Sequence, residues 1–176
     1  NEQIEETQEA LGEELAFAHI HKRKELENYL LVPSVLERVL GKLISERERR
    51  TATSIERDES VEDILDEITQ EIKTKTQGQY IGKYCEYKKS SGSDQSTLSA
   101  EAIERFNDKW HSLSTRLEIV PGKITLRNLR TYINDKWSVS LTDIRIIDEF
   151  KPAEIPNDLM ELLKTLDAYR VSENDV

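Results

Sequence analysis

The stretch "PSVLERVLGKLI", from Pro33 to Ile44, leaves this chain the least conformational freedom. Val35, Leu36, Val39, Leu40, Leu43 and Ile44 fall on one side of a 3.6-residue period, and Pro33 suits the first turn of a helix. A helix with such a face must bury it against something, so the chain has to provide further elements with matching stripes. Val61, Ile64, Leu65, Ile68 and Ile72 form one, behind a Ser60 to Asp63 pattern that predicts a helix N-cap. Ile103, Phe106, Trp110 and Leu113 form another, and Leu126, Leu129 and Ile133 a third. Two shorter helices are expected after Ser140 (Leu141, Ile144, Ile147) and after Pro156 (Leu159, Leu162, Leu163, Leu166). Trp110 and Trp137 are read as core packing rather than as surfaces for stacked bases.

Other segments carry a different period. Ile4 to Leu11 reads as a helix ended by Gly12, and Glu14 to His21 ("ELAFAHIH") alternates as a short strand. Thr115 to Val120 ("TRLEIV") also alternates, with Pro121-Gly122 as the turn after it. The first long helix is expected to continue past Ile44 through "SERERRTATSIERDES" as a solvated arm, and Ser90 to Ser99 as a flexible connector with Ser99 capping the next helix. The organisation predicted is therefore a helix-strand-helix segment over 1–44, a helical insertion or arm over 45–113 with a linker near 90–99, and a strand-turn with C-terminal helices over 114–176.

Charge narrows the function. With 36% hydrophobic and 34% charged residues in 176, the core is modest and the surface strongly charged. A formal net charge of -10 argues against holding nucleic acid by electrostatics alone, although carboxylates that bind a divalent cation recruit a phosphodiester through the metal. Cys85 is the single cysteine, which removes intrachain disulfides and thiolate zinc sites and suits a reducing, cytoplasmic location. No apolar run approaches the roughly 20 residues of a membrane span. The chain opens on Asn1 rather than Met, as expected of a piece of a longer polypeptide.

Chemistry-bearing residues gather where charge meets the first long helix. If the strand ran on, Glu25 and Glu27 would point the same way, as two carboxylates able to share a hard cation. The competing reading is a solvated pair salt-bridged to Lys22 and Arg23. Lys123, just after the Pro-Gly turn, is placed to neutralise a phosphoryl group. His19, His21 and His111 lack zinc-site spacing, and neither a phosphate-binding glycine loop nor a nucleophile elbow occurs.

Three blocks, "KRKELENYLLVP", "VPGK" and "EIPNDLMELLKTLDAY", together resemble the C-terminal part of the OLD (overcoming lysogenisation defect) family of ATP-dependent endonucleases. The resemblance covers about residues 15–44 and 113–170 but not the helical middle. In that family an ABC-type or SMC-like ATPase domain precedes a Toprim nuclease domain. It implies an α/β remnant of a Toprim-like domain, predominantly α-helical, with a helical insertion or arm. It further implies Glu27 and Glu25 as ligands of Mg²⁺ or Mn²⁺, Lys123 facing the scissile phosphate, and Asn28 and Tyr29 as supporting residues. The partners implied are DNA and the ATPase domain of the same polypeptide, in a defence against phage, with a homo-oligomer left open. The Toprim pattern also requires an earlier glutamate and an Asp-x-Asp strand, so these residues alone are expected to be inactive. The rival class is a non-catalytic helical module for protein interaction or dimerisation, built on the acidic helices of 45–113.

Overall fold

A computed structural model of the chain describes residues 5–7, 9, 11 and 19–173, the side chains of 171–173 excepted. From Pro33 onward the helices are α1 (Pro33–Thr51), α2 (Val61–Glu71), α3 (Lys73–Tyr87), α4 (Gln95–Trp110), α5 (Leu113–Ile119), α6 (Gly122–Trp137), α7 (Asp143–Asp148) and α8 (Asn157–Glu173). Single 3-10 turns lie at Leu26–Tyr29, Lys88–Ser91 and Pro152–Glu154. Residues 5–7, 9 and 11 are helical, as the Ile4 to Leu11 pattern predicts. The described residues are predominantly helical and include no strand.

One hydrophobic cluster joins the predicted stripes, except that Ile103 points outward and is exposed. It takes Val35, Leu36, Val39 and Leu40 from α1, Val61, Ile64 and Leu65 from α2, Phe106 and Trp110 from α4, Leu117 from α5, and Leu126, Leu129 and Ile133 from α6. Each such side chain, fully withdrawn from water, contributes on the order of 2 kcal/mol. Pro33 does open α1, and Ser60 caps α2 by accepting from the Asp63 N–H while the Asp63 carboxylate accepts from Ser60.

Within 45–113, α2 packs against α1, α5 and α6 and belongs to the core, and α3 pairs as a hairpin with α4, whose Phe106 and Trp110 also enter the core. The helical arm expected past Ile44 stops at Thr51, where Ala52 turns left-handed at φ 53°. Residues 53–60 fold back instead. Glu48 accepts from the Ile55 N–H at 2.8 Å, and the Arg57 guanidinium donates to Glu37 at 2.6 Å while lying 5.8 Å from the Trp137 ring centroid. The flexible connector is also shorter than expected. Asp94, rather than Ser99, caps the following helix by accepting from the N–H groups of Ser96 and Thr97, so α4 begins at Gln95.

Thr115 to Val120 is corrected from strand to helix. Ser112 caps α5 by accepting from the Thr115 N–H, and the neighbours Arg116 and Leu117 are both buried, which a strand with one face inward does not allow. Arg116 is buried because its guanidinium has partners: Asp66 at 2.7 Å, Thr69 Oγ1 at 3.0 Å and the face of Trp110. The strand expected over Glu14 to His21 lies outside the described residues except for His19–His21, which are not in a strand. No described helix is long and apolar enough to cross a membrane.

Candidate functional site

The site is organised by the four-residue 3-10 turn Leu26–Tyr29, which sits where α5 hands over to α6. The end of α5 leaves carbonyls without helical partners, and the start of α6 leaves N–H groups without them. The turn and its flanks answer both. Asn28 is fully buried, and its Nδ2 donates to the carbonyls of Leu117 at 2.7 Å and Val120 at 3.0 Å. The Lys24 N–H donates to the Glu118 carbonyl at 3.0 Å. On the other side, Glu25 Oε2 accepts from the Lys123 N–H at 2.8 Å, placing a carboxylate at the positive end of α6. Asn28 Oδ1 accepts from the Glu25 N–H at 2.8 Å, which ties the two caps together.

Tyr29 fastens the same turn to the last helix. It is buried, and its hydroxyl donates to the buried Asp158 carboxylate in the first turn of α8. Burial, reinforced by that bond and by the carboxylate's charge, pushes the Tyr29 phenol up to about 12. Burial alone would raise Asp158, but the Tyr29 hydroxyl and backbone N–H groups of Lys22, Asp158 and Leu159 outweigh it and hold the carboxyl below its ordinary value. Arg23 covers the ring at 5.1 Å and donates to the Asn28 carbonyl at 2.6 Å, and His21 meets the ring edge-on at 5.7 Å.

The predicted residues therefore meet, though not as a strand would bring them. Glu25 is the extended residue before the turn and Glu27 lies inside it; with three residues per turn, positions two apart do not share a side. Glu25 and Lys123 touch through the lysine's backbone N–H, while the Lys123 side chain is exposed at the start of a helix rather than at a strand end. Asn28 and Tyr29 are structural anchors. Among the described residues, no three His, Cys, Asp or Glu side chains come together to hold a metal. Glu25 already serves α6, so Glu25 and Glu27 do not by themselves make the oxygen cage that Mg²⁺ requires.

Gly122, Asp158 and Lys24 complete the site, and sequence patterns alone assign none of them a part in it. Gly122 has a local signal in its Pro-Gly pair, whereas Asp158 has none, since its role depends on Tyr29, which lies 129 positions earlier. Other charged clusters serve packing. Arg38 binds Glu149 and Glu154 and fastens the stretch between α7 and α8 onto α1, its hydrogen bond being the main reason Glu154 falls to about 2. The open groove between α2 and α6, lined by Glu67, Asn128, Tyr132 and Lys136 among others, contains none of the converging residues. No protein-family model matches this chain, and no curated protein or solved structure matches it.

Proposed function

We propose that this chain is the C-terminal segment of an ATPase-coupled, divalent-metal-dependent DNA endonuclease of the OLD type. One observation carries the reading. The three sequence blocks that resemble that family, distant in the chain, converge on one turn: Glu25 on Lys123, Asn28 on Gly122, and Tyr29 on Asp158. Motifs present for independent reasons need not meet; motifs of one site must.

In this reading Glu27 is the carboxylate offered to Mg²⁺ or Mn²⁺, with the remaining oxygen ligands supplied from outside the described residues. When bound, the metal supplies charge neutralisation at a phosphodiester and an activated water. Glu25 fixes the start of α6, and thereby sets where the exposed Lys123 ammonium can meet a phosphate oxygen. The Toprim-like strands, the ATPase domain, a second copy of the chain and the cytoplasmic role in phage defence belong to the same proposal.

The test is nicking of supercoiled plasmid DNA by the natural polypeptide that carries this chain, with Mg²⁺ or Mn²⁺ and with or without ATP. Metal-dependent nicking that falls by at least about tenfold in Glu27→Gln is expected. Failure to nick with either metal sinks the proposal. The alternative, a helical interaction module, draws on Leu163 and Leu166 of α8, which are exposed at 44% and 50%.

A further inference from the structure

We infer that the outer part of α8 is a homodimer contact, in which Leu163 and Leu166 of two copies of this chain pack against each other about a two-fold axis. The inference names a surface for the second copy of the chain. It uses neither Glu27 nor Lys123, and so stands or falls apart from the nuclease reading.

The first argument is what α8 leaves uncovered. Its first turn is fastened to the body, where the Asp158 carboxylate accepts from the Tyr29 hydroxyl and the Lys22 N–H. Beyond that turn the cover ends. Leu159 and Leu162 are half-buried, whereas Leu163 and Leu166 are exposed at 44% and 50%, and of residues 163–170 all but Thr165 are exposed. Thr165 Oγ1 donates to the Glu161 carbonyl at 2.9 Å and Arg170 pairs with Asp167 at 2.7 Å, bonds that close within the helix. Leu159, Leu162, Leu163 and Leu166 nevertheless share one side, with Glu161 and Lys164 on the opposite side, which is the pattern of a helix that packs along another. A few turns of helix projecting into water are marginal by themselves, so an apolar stripe along them calls for a partner.

The second argument is that charge selects the partner. The chain carries -10, and most of its surface therefore repels a second copy. Between Leu159 and Arg170, however, the carboxylates of Glu161 and Asp167 are balanced by Lys164 and Arg170, so this stretch has no net charge. Two copies meet here without that repulsion, while a strongly acidic or basic partner finds no opposite charge to complement it. A two-fold contact also requires a patch that fits itself. Leu163 and Leu166 are three apart on one face, so in two antiparallel helices Leu163 lies against the partner's Leu166 and Leu166 against the partner's Leu163. One helix face is a small contact, which makes the dimer reversible.

The experiment is sedimentation equilibrium of this chain over a wide range of protein concentration. The wild-type chain is expected to follow a monomer–dimer equilibrium. Leu163→Glu combined with Leu166→Glu places charges inside the contact and raises the dissociation constant by about a hundredfold or more. Ile144→Glu combined with Ile147→Glu, at the exposed apolar pair of α7, leaves it unchanged. Circular dichroism confirms that each variant folds. A wild-type chain that stays monomeric throughout assigns the α8 face to a different protein or domain and overturns the proposal. A double variant on α8 that dimerises as the wild type does overturns it as well. The two proposals fail separately. A parent that nicks DNA while this chain stays monomeric removes the pairing alone, and a dimer whose parent never nicks DNA removes the nuclease alone.

Discussion

A Cβ on Gly122 would lie 2.5 Å from Asn28 Oδ1 and 2.8 Å from both Asn28 Cγ and the Asn28 backbone nitrogen. The first residue of α6 and the buried carboxamide of the 3-10 turn therefore share a space that only glycine leaves open. The contact is steric, since Gly122 is not in the left-handed region.

Gly122→Ala forces that turn away from α6 and is expected to lower stability by about 2 kcal/mol, the usual cost of overpacking. Urea denaturation reads it as a lower midpoint with the slope unchanged. An unchanged midpoint would show that the turn yields without strain.

Asn28 is matched to its surroundings atom by atom, with two donors facing two carbonyls and one acceptor facing an N–H. Asn28→Asp keeps the shape but turns the donors into a buried acceptor opposite those carbonyls. The expected loss is about 3 kcal/mol, larger than for a typical single hydrogen bond. Chemical denaturation of the two proteins at neutral pH decides it, and a difference below about 1 kcal/mol contradicts the assignment of the amide's orientation.

The Tyr29 to Asp158 bond needs a neutral phenol and an ionised carboxyl. Because the folded Tyr29 value is raised from 10.0 to about 12, its stabilisation is complete below the unfolded value and is lost as pH rises between the two. Asp158 is lowered, so its share is present above the unfolded value and is lost as pH falls through the lowered one. Tyr29→Phe is expected to cost about 2 kcal/mol at pH 7. Above pH 10.0 the gap between wild type and Tyr29→Phe in thermal unfolding should shrink, and a gap independent of alkaline pH rules out the bond as its source.

Glu25 and Glu27 are separable. Glu25→Ala removes a carboxylate from the first turn of α6 and is expected to cost about 1 kcal/mol. Among the described residues Glu27 receives no comparable bond from another helix, so Glu27→Gln should leave stability within about 0.5 kcal/mol of wild type while reducing metal-dependent nicking by the parent. Equal stability losses in the two variants would remove the division of labour between them.

The apolar stripes of α1, α2 and α6 were legible because a helical period is a local property: residues three and four apart lie on one face whatever the rest of the chain does. In α4 the expected stripe holds only at Phe106 and Trp110, since Ile103 is 41% exposed and Leu98 and Ala102 take the inward face. Pro33 and the Ser60 to Asp63 cap were legible for the same reason, as each acts within its own turn. Thr115 to Val120 misled because six residues can satisfy alternation by chance, and only the packing of Arg116 against Asp66 and Trp110 decides that both it and Leu117 face inward. The fate of 53–60 was likewise set by Glu37 and Trp137, which reach that segment only after α1 and α6 have packed.

The site divides along the same line. Sequence by itself determined which residues carry charge and hydrogen-bonding capacity, and it marked Glu25, Glu27, Asn28, Tyr29 and Lys123 as worth locating. Only the tertiary structure decided their partners, because the groups that need them, the last carbonyls of α5 and the first N–H groups of α6, do not exist as unpaired ends until those helices form. Lys24 meets Gln79 and Tyr29 meets Asp158 across 55 and 129 positions, and no local pattern encodes a pairing whose cost in chain entropy is met by the packing of the whole core.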